Sequence, residues 1–183
     1  MRALQYTAYG GPEVLEWAQA PDHHAGPGQL RIAVRAASVN PIDWKAFSGA
    51  MSGGQPMAGT GYLGADAAGV VEEVGQGVTG VAVGDEVFGR GQHTQAESAL
   101  LDAWAAKPPA IDWAVAAAAG VAGETAERGL RLLEVKAGDT LFVDGGAGGV
   151  GAATVQMALG RGARVIASAS EASSTGRRCA WTP

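Results

Sequence analysis

The stretch LFVDGGAGGVGAATVQMALGRGARVIASAS, residues 141–170, decides the fold class. It opens inside an apolar run, TLFVDG (140–145), which is typical of a strand buried in a parallel sheet. A glycine-rich turn leads into the helical segment GVGAATVQMALGRG, and ARVIASAS then forms a second apolar strand. This succession of strand, turn, helix and strand predicts a βαβ unit.

The glycines of this turn match the pattern G-x-G-x-x-G at Gly146, Gly148 and Gly151. The first glycine permits a tight turn, the second lets backbone N–H groups approach a pyrophosphate, and the third lets the helix pack on the strand. An anion at this place is stabilised by the helix N-terminus, where Gly149 and Val150 also lie. The sequence therefore predicts a dinucleotide site. A purely structural turn is the alternative in a chain with 29 glycines.

The end of the second strand indicates which dinucleotide is bound. A carboxylate at this end binds the ribose 2′-hydroxyl of NAD, whereas its absence leaves room for the 2′-phosphate of NADP. The strand ends in the uncharged pair Ala169-Ser170, with Glu171 just beyond it. We therefore predict NADPH as the cofactor and Ser170 as a candidate phosphate ligand. The alternative for Ser170 is an ordinary serine at a strand end.

The first hundred residues predict a β-rich region. LRIAVRA (30–36) alternates apolar and polar side chains, the period of a half-buried strand. Many short strands at close spacing favour a partly open barrel or a sandwich. The other predicted strands lie in RALQYTAY (2–9), EVLEWAQA (13–20), AGVVEEVGQGV (68–78) and GVAVGDEVFG (80–89).

A helix-rich segment follows between Pro108-Pro109, a start signal, and Ala137-Gly138, a stop signal. Within it, Ala126, Leu130 and Leu133 have i, i+4 and i+7 spacing and predict one packing face.

Composition excludes several classes of function. The net charge of −5 argues against nucleic acid or an anionic membrane as partner. The longest apolar run, AVAAAAGVAG (114–123), is too short to span a bilayer, and the N-terminus lacks a signal-peptide core. The single cysteine, Cys179, excludes an intrachain disulfide and a multi-cysteine zinc site. We therefore expect a soluble, cytoplasmic protein without membrane or nucleic-acid partners.

Four segments together resemble the medium-chain dehydrogenase/reductase superfamily, in its zinc-free quinone-oxidoreductase-like branch. The resemblance implies a GroES-like β-barrel domain over 1–122 and the first βαβ unit of an incomplete Rossmann (doubly wound) domain over 123–170. It also implies hydride transfer from NADPH to a quinone or enone, and a homodimer in full-length relatives. The segments are SVNPIDWKAFSG (38–49), GADAAGVVEEVGQGVTGVAVGDEVFG (64–89), AGETAERGL (122–130) and GDTLFVDGGAGGVGAATVQMALGRGARVIASAS (138–170).

The resemblance also implies that the chain binds no metal. Zinc-dependent members of the superfamily place cysteine, histidine and cysteine where this chain has Asn40, Ala65 and Val121, and these three residues do not ligate zinc. His23 and His24 lie in a predicted loop, and His93 is expected to stand alone. Without a Lewis acid, substrates that are already electrophilic are favoured.

Further site residues are carried over from the family motifs. Asn40 and Asp43 are expected near the nicotinamide, Trp44 as an aromatic wall of the pocket, and Thr125 against the nicotinamide. The alternatives are that Asn40 begins a turn with Pro41, that Asp43 caps a helix, and that Trp44 is a core residue.

Two acidic positions differ from the family, since Glu124 and Glu127 replace apolar and aromatic residues. Carboxylates on the substrate side would alter the pocket or reduce activity. Asp66, which follows the vacant zinc position, is expected to be structural.

The tail 171–183 has neither helical nor strand periodicity and does not resemble the next family helix. Because a doubly wound domain has two βαβαβ halves, we expect a premature end, by a shifted reading frame after about residue 171. A two-stranded parallel sheet leaves apolar faces bare, so marginal stability or aggregation is expected. The alternative function is a non-catalytic fragment or binding module that retains the GroES-like domain.

Overall fold

The structure, a computed structural model, describes residues 1–174, so the predictions for Cys179 and the rest of 175–183 lie outside the described residues. The chain divides into two compact units, the first spanning Met1–Val121 and the second beginning at Ala122. Within residues 1–174, no helix is long and apolar enough to cross a membrane.

The first unit contains a closed β-barrel and a smaller, three-stranded sheet. It contains β1 (Arg2–Tyr6), β2 (Glu16–Gln19), β3 (Leu30–Ala37), α1 (Pro41–Phe47), β4 (Gly61–Tyr62), β5 (Asp66–Val74), β6 (Glu86–Gln92) and β7 (Ser98–Ala106). Strands β3, β5, β6 and β7 pair antiparallel in a closed cycle, and β2, β1 and β4 form a three-stranded sheet. The barrel was expected to be partly open. It is closed because β7, which has no prediction above, pairs with both β3 and β6.

The barrel core follows from the alternation of apolar residues along these strands. Leu30 and Ile32 on β3 are fully buried, while Arg31 between them reaches Glu72 and Glu73 on β5. The remaining core side chains come from all three partner strands and comprise Ala67, Val71, Val87, Ala99 and Leu101. This closed core provides the rigid frame that carries the loop and helix after β3.

The second unit is a βαβ unit preceded by the end of a long helix. Its elements are α2 (Trp113–Leu132, which begins in the first unit), β8 (Thr140–Val143), α3 (Gly149–Gly160), β9 (Arg164–Ala167) and α4 (Glu171–Ser174). Strands β8 and β9 pair in parallel, as the sequence predicts. Leu130 and Ala158 are fully buried together, and Leu141 and Val165 pack against them.

One burial prediction in this unit is wrong, whereas the bare apolar face expected of a two-stranded parallel sheet is present. Leu133 is 68 % exposed, because α2 ends at Leu132 and the chain turns away before the predicted face is complete. Phe142 and Ile166 are directly paired across the sheet and are 63 % and 56 % exposed. Alternation along a strand places Leu141 and Val165 on the helix-covered face and this pair on the opposite face, which no described residue buries.

Candidate functional site

The glycine turn joins β8 to α3 and includes the first backbone N–H groups of this helix. Gly145 adopts a φ of 71°, and Gly148 donates its N–H back to the Gly145 carbonyl oxygen at 2.9 Å. Gly148 is the N-cap of α3, and no side chain within residues 1–174 caps this helix end. The first N–H groups of a helix have no intrahelical acceptor, so those of 149–151 are available to an anion.

Close packing explains why the third glycine of the motif is required. A Cβ atom at Gly151 would lie 2.1 Å from the Gly145 carbonyl oxygen, so the helix start rests directly on the turn. By contrast, a Cβ at Gly149 would meet nothing within 4 Å. Val150 is 42 % exposed at the same helix start. The predicted residues of the motif, Gly146 included, therefore form a cradle that fits a phosphate group.

Ser168 is a turn residue that the sequence reasoning missed. Its hydroxyl accepts the N–H of Gly145 at 3.0 Å and donates to Asp144, and its carbonyl oxygen accepts the N–H of Gly146 at 2.8 Å. The residue that directly follows β9 thus holds the turn in shape. The signal for this contact was present, since parallel strands of a βαβ unit end at the same edge of the sheet.

Ser170 and Thr125 are the other candidate cofactor ligands on this unit. Ser170 is exposed, and its hydroxyl lies 3.0 Å from that of Ser173 in the short helix α4. Thr125 is half-buried on α2. Glu127, two residues further along, does not stand as an uncompensated carboxylate, because both its oxygens contact the Arg161 guanidinium at 2.5 and 2.6 Å.

In the first unit, the candidate residues gather at the start of α1. Asn40 is the N-cap, Pro41 occupies the first turn, and Asp43 completes a capping box. The buried Asp43 carboxylate accepts the backbone N–H of Asn40 at 2.7 Å and that of Gly64 at 2.9 Å. The alternative that Asp43 caps the helix is therefore confirmed, and its catalytic role stays a prediction.

Asp66 is the centre of a buried hydrogen-bond network beside Asn40. Its side chain is fully buried; Oδ1 accepts the hydroxyl of Ser38 and, at 2.7 Å, the amide nitrogen of Asn40. The other oxygen accepts the backbone N–H of Val121 at 2.7 Å. Thr94 donates its hydroxyl to the Asp66 backbone carbonyl at 2.9 Å. This network agrees with the expectation that Asp66 is structural.

The three positions at which zinc-dependent relatives are expected to bind metal all lie next to Asp66, through a hydrogen bond or along the chain. Asn40 and Val121 both donate to the Asp66 carboxylate, and Ala65 precedes Asp66 in the chain. Among residues 1–174, no three histidine, cysteine, aspartate or glutamate side chains come together in a way that could hold a metal ion.

Trp44 lies on the exposed side of α1, close in sequence to Asn40. It is 52 % exposed, so the alternative of a core tryptophan is wrong. Lys45 places its ammonium group 5.8 Å from the centre of the indole ring, and Val39 and Ile42 are also exposed. The start of α1 thus combines a polar amide with an apolar, partly aromatic surface, which suits a planar organic molecule.

A separate cavity of about 190 Å³ is lined by two of the histidines for which the sequence predicted no common site. The cavity is lined by His23 and His93 among others, with their ring centres 6.3 Å apart, and His93 lies 5.0 Å from the ring of Tyr62. The expectation that His93 stands alone is therefore wrong. Burial, reinforced by the charge of His23, lowers the pKa of His93 below its ordinary value.

Comparison with known proteins gives one family match and relatives along most of the chain. The alcohol dehydrogenase GroES-like domain matches residues 26–181. The chain is 34 % identical over 179 residues to a quinone oxidoreductase of Rattus norvegicus, covering 92 % of this chain and 53 % of that protein. It is 38 % identical over 176 residues to the phthioceranic/hydroxyphthioceranic acid synthase of Mycobacterium tuberculosis (strain ATCC 25618 / H37Rv), covering 91 % of this chain and 8 % of the synthase.

One of the similar solved structures is a mycobacterial protein complexed with NADPH. It matches with a TM-score of 0.81 and 35 % identity, over 96 % of this chain and 55 % of that one. The chain therefore spans about half the length of the quinone oxidoreductase and of this structural relative.

Proposed function

Because the chain belongs to the alcohol dehydrogenase GroES-like domain family, we propose that it acts as an NADPH-dependent, zinc-independent oxidoreductase that reduces a quinone or enone. The predicted superfamily is confirmed, and so is the predicted fold class of a GroES-like barrel followed by part of a Rossmann domain. The coarse activity, oxidoreduction, is that of quinone oxidoreductase relatives. Its cofactor and substrate are part of our proposal.

The observation that carries the proposal is the glycine turn at the start of α3. No side chain within residues 1–174 caps its backbone N–H groups, Gly149 leaves the approach open, and Gly151 allows the helix to pack directly on the turn. These features fit the pyrophosphate of a dinucleotide. The uncharged pair Ala169-Ser170, which follows β9 and precedes Glu171, supports NADPH over NADH, because neither side chain carries a carboxylate that would repel a 2′-phosphate.

When bound, NADPH supplies a hydride, and with one proton from solvent it converts a quinone to a hydroquinone and leaves NADP⁺. The chain's own contribution is binding and orientation. We assign the pyrophosphate to Gly146, Gly148, Gly149, Val150 and Gly151.

Four further residues are assigned to the cofactor or to the acceptor. Ser170 is assigned to the 2′-phosphate and Thr125 to the nicotinamide. The exposed ring of Trp44 supplies an apolar wall for the planar acceptor, and Asn40 supplies the polar group next to it. The cytoplasmic location and the homodimer of full-length relatives remain predictions.

Two measurements on the purified chain test the proposal together. We expect NADPH to raise the melting temperature, NADH to raise it less, and a simple quinone to be reduced at the expense of NADPH absorbance. Stabilisation by NADPH without quinone reduction would instead favour the non-catalytic binding module. If NADPH neither stabilises the chain nor is oxidised by the quinone, both the oxidoreductase and the binding-module proposals are refuted.

A chelator provides the matched control for metal independence. Quinone reduction by the wild-type chain should be unchanged after incubation with EDTA and after addition of Zn²⁺. A loss of rate that Zn²⁺ restores would refute the zinc-independent part of the proposal.

A further inference from the structure

The loop between α1 and β4, residues 50–60, has few contacts with the rest of the first unit. None of its residues is fully buried, and only Ser52 and Met57 are partly buried. Its backbone hydrogen bonds are local: Ser52 donates to the Gly49 carbonyl oxygen at 3.0 Å, and Gln55 to that of Ser52 at 3.2 Å. Within residues 1–174, no hydrogen bond joins this loop to a more distant part of the chain. Such a segment has a low free energy of local opening.

Both ends of the loop are held by β1 and the residues just after it. A Cβ at Gly49 would lie 2.9 Å from Cγ of Tyr9, and a Cβ at Gly61 would lie 2.2 Å from Cζ of Tyr6. Each tyrosine ring thus contacts the chain at one end of the loop. The centres of the two rings are 6.5 Å apart, so the loop leaves and returns at nearly the same place.

Three glycines inside the loop give its backbone freedom to move. Gly53, Gly54 and Gly59 have φ values of 61°, 81° and 81°, and a Cβ at any of them would meet nothing within 4 Å. Close packing therefore does not explain these glycines. Glycine changes φ and ψ at little steric cost, as the moving part of a closing segment requires.

The loop and the start of α1 both expose apolar side chains. Val39 and Trp44 are 83 % and 52 % exposed at the start of α1, where we place the acceptor. The loop carries Met51, which is 60 % exposed, and Met57, two of the four methionines of the chain. Methionine is flexible and packs on apolar surfaces of varied shape. Bringing the loop onto an acceptor at α1 would remove both apolar surfaces from water.

The loop is long enough to cover α1. This helix has 7 residues and is therefore about 10 Å long, at about 1.5 Å per residue. The loop begins directly after the C-terminal end of α1. A loop of about 11 residues that leaves and returns can reach about 18 Å from its base, at about 3.3–3.6 Å per residue. Its tip can therefore reach the start of the helix.

We infer that residues 50–60 are a lid that closes over an acceptor bound at the start of α1, with its two ends fixed at Gly49 and Gly61. The identity of the occupant rests on the proposed function, whereas the mobility of the loop does not. Closure excludes water from the acceptor and buries Met51 against its apolar face. Because the methionine side chain adapts its shape, this lid accepts planar molecules of different outline.

Hydrogen–deuterium exchange of the free chain tests the mobility of the loop. We expect the backbone amides of residues 50–60 to exchange within about 10-fold of their rate in the urea-unfolded chain, while those of β3 are strongly protected. Protection of residues 50–60 to the level of β3 would overturn the lid, whether or not any ligand binds.

Oxidation of methionine by hydrogen peroxide tests closure, because a covered thioether is oxidised more slowly. Duroquinone with NADP⁺ supplies an acceptor and a cofactor without turnover. This pair should slow the oxidation of Met51 several-fold and leave Met157, which packs against the core of the second unit, as an internal reference. An unchanged rate at Met51, in a sample whose raised melting temperature shows that duroquinone is bound, would overturn the lid. Equal slowing by NADP⁺ alone would assign the loop to the cofactor and would also overturn the inference.

Met51→Ser and Val83→Ser form a matched pair, since both side chains are exposed and lie in glycine-containing loops of the first unit. Neither substitution should change the melting temperature of the free chain. Met51→Ser should weaken duroquinone binding about 10-fold, the order expected for burying such a side chain, and leave NADPH affinity unchanged. Val83→Ser should change neither affinity. Equal duroquinone affinity of the two variants would refute the inference.

Deletion of residues 53–58 removes the tip of the lid and keeps both of its ends. Because none of these residues is fully buried, the barrel should remain folded, and duroquinone affinity should fall at least as far as in Met51→Ser. Wild-type affinity in the deletion variant would count against the lid. If the wild-type chain itself binds no duroquinone, the proposed function and the closure both fail, whereas binding without protection of Met51 refutes the lid alone.

Discussion

Gly151→Ala should distort the glycine turn, and the size of the steric overlap follows from the distances around the added Cβ. The added Cβ would lie 2.1 Å from the carbonyl oxygen of Gly145 and 2.9 Å from both its carbonyl carbon and the Cα of Gly146. Carbon contacts are normally found at about 3.5–4.0 Å, so the overlap with the oxygen exceeds 1 Å by rough comparison. All three opposing atoms belong to the backbone. Relief therefore requires the turn itself to move.

We expect this substitution to lower the free energy of unfolding by about 1–3 kcal/mol, the range for overpacking a close contact. Alanine's better helix propensity offsets at most about 1 kcal/mol of this loss. For a chain of this size, each kcal/mol corresponds to a shift of about 2–4 °C in melting temperature. Since the moving turn carries the N–H groups that we propose bind the phosphate, NADPH affinity should fall about 10-fold or more, as for the loss of one charge-assisted hydrogen bond.

Thermal unfolding followed by circular dichroism, with and without NADPH, measures both effects. Gly160→Ala is the matched control, because it lies at the other end of α3 and its Cβ would meet nothing within 4 Å. The control should be at least as stable as the wild type and bind NADPH equally well. The reasoning is refuted if Gly151→Ala and Gly160→Ala have the same melting temperature and the same NADPH affinity.

Three further predictions concern pH, an ion pair and a strained residue. The lowered pKa of His93, caused by burial and then by His23, means that the unfolded chain takes up a proton first as pH falls. Stability should therefore drop as pH falls below the ordinary histidine pKa of about 6.5. His93→Asn should flatten the profile of melting temperature against pH between 7.5 and 5.5, roughly one unit either side of that value. An unchanged slope would contradict the assignment of this pH dependence to His93. Glu127→Gln should reduce stability by about 0.2–1 kcal/mol through its partly exposed pair with Arg161, a difference that 1 M salt, where the screening length is about 3 Å, should abolish. Glu134 has a φ of 54°, so Glu134→Gly should stabilise the chain in urea unfolding by about 0.5–1 kcal/mol, and a destabilised variant would argue against strain.

The local features of the second unit were predictable from sequence because they depend on neighbouring residues. The order of strand, glycine turn, helix and strand over 140–167 follows from apolar runs and from the backbone freedom of glycine. The burial of these elements was less predictable. Phe142 is exposed because burial depends on what covers a strand, and α3 covers only one face of this sheet.

Long-range partners were the part that sequence reasoning missed. Strand β7 (Ser98–Ala106) had no prediction, although its pairing with β3 and β6 closes the barrel. His93 was expected to stand alone, yet it lies beside His23, seventy positions earlier in the printed sequence. Neither contact has a local signature, because each depends on how the barrel returns the chain on itself.

The amino-acid sequence by itself determined which family and which kind of site we predict for this chain. The glycine pattern of 146–151 and the residues at 40, 65 and 121 predict a dinucleotide turn and a family branch without zinc ligands. Only the tertiary structure decided how the Asn40 amide is held, because Asp66, 26 positions away in the chain, contacts it only after folding. The sequence gives the identity of each side chain, but the hydrogen-bond partners of its donors and acceptors depend on residues that are distant in the chain.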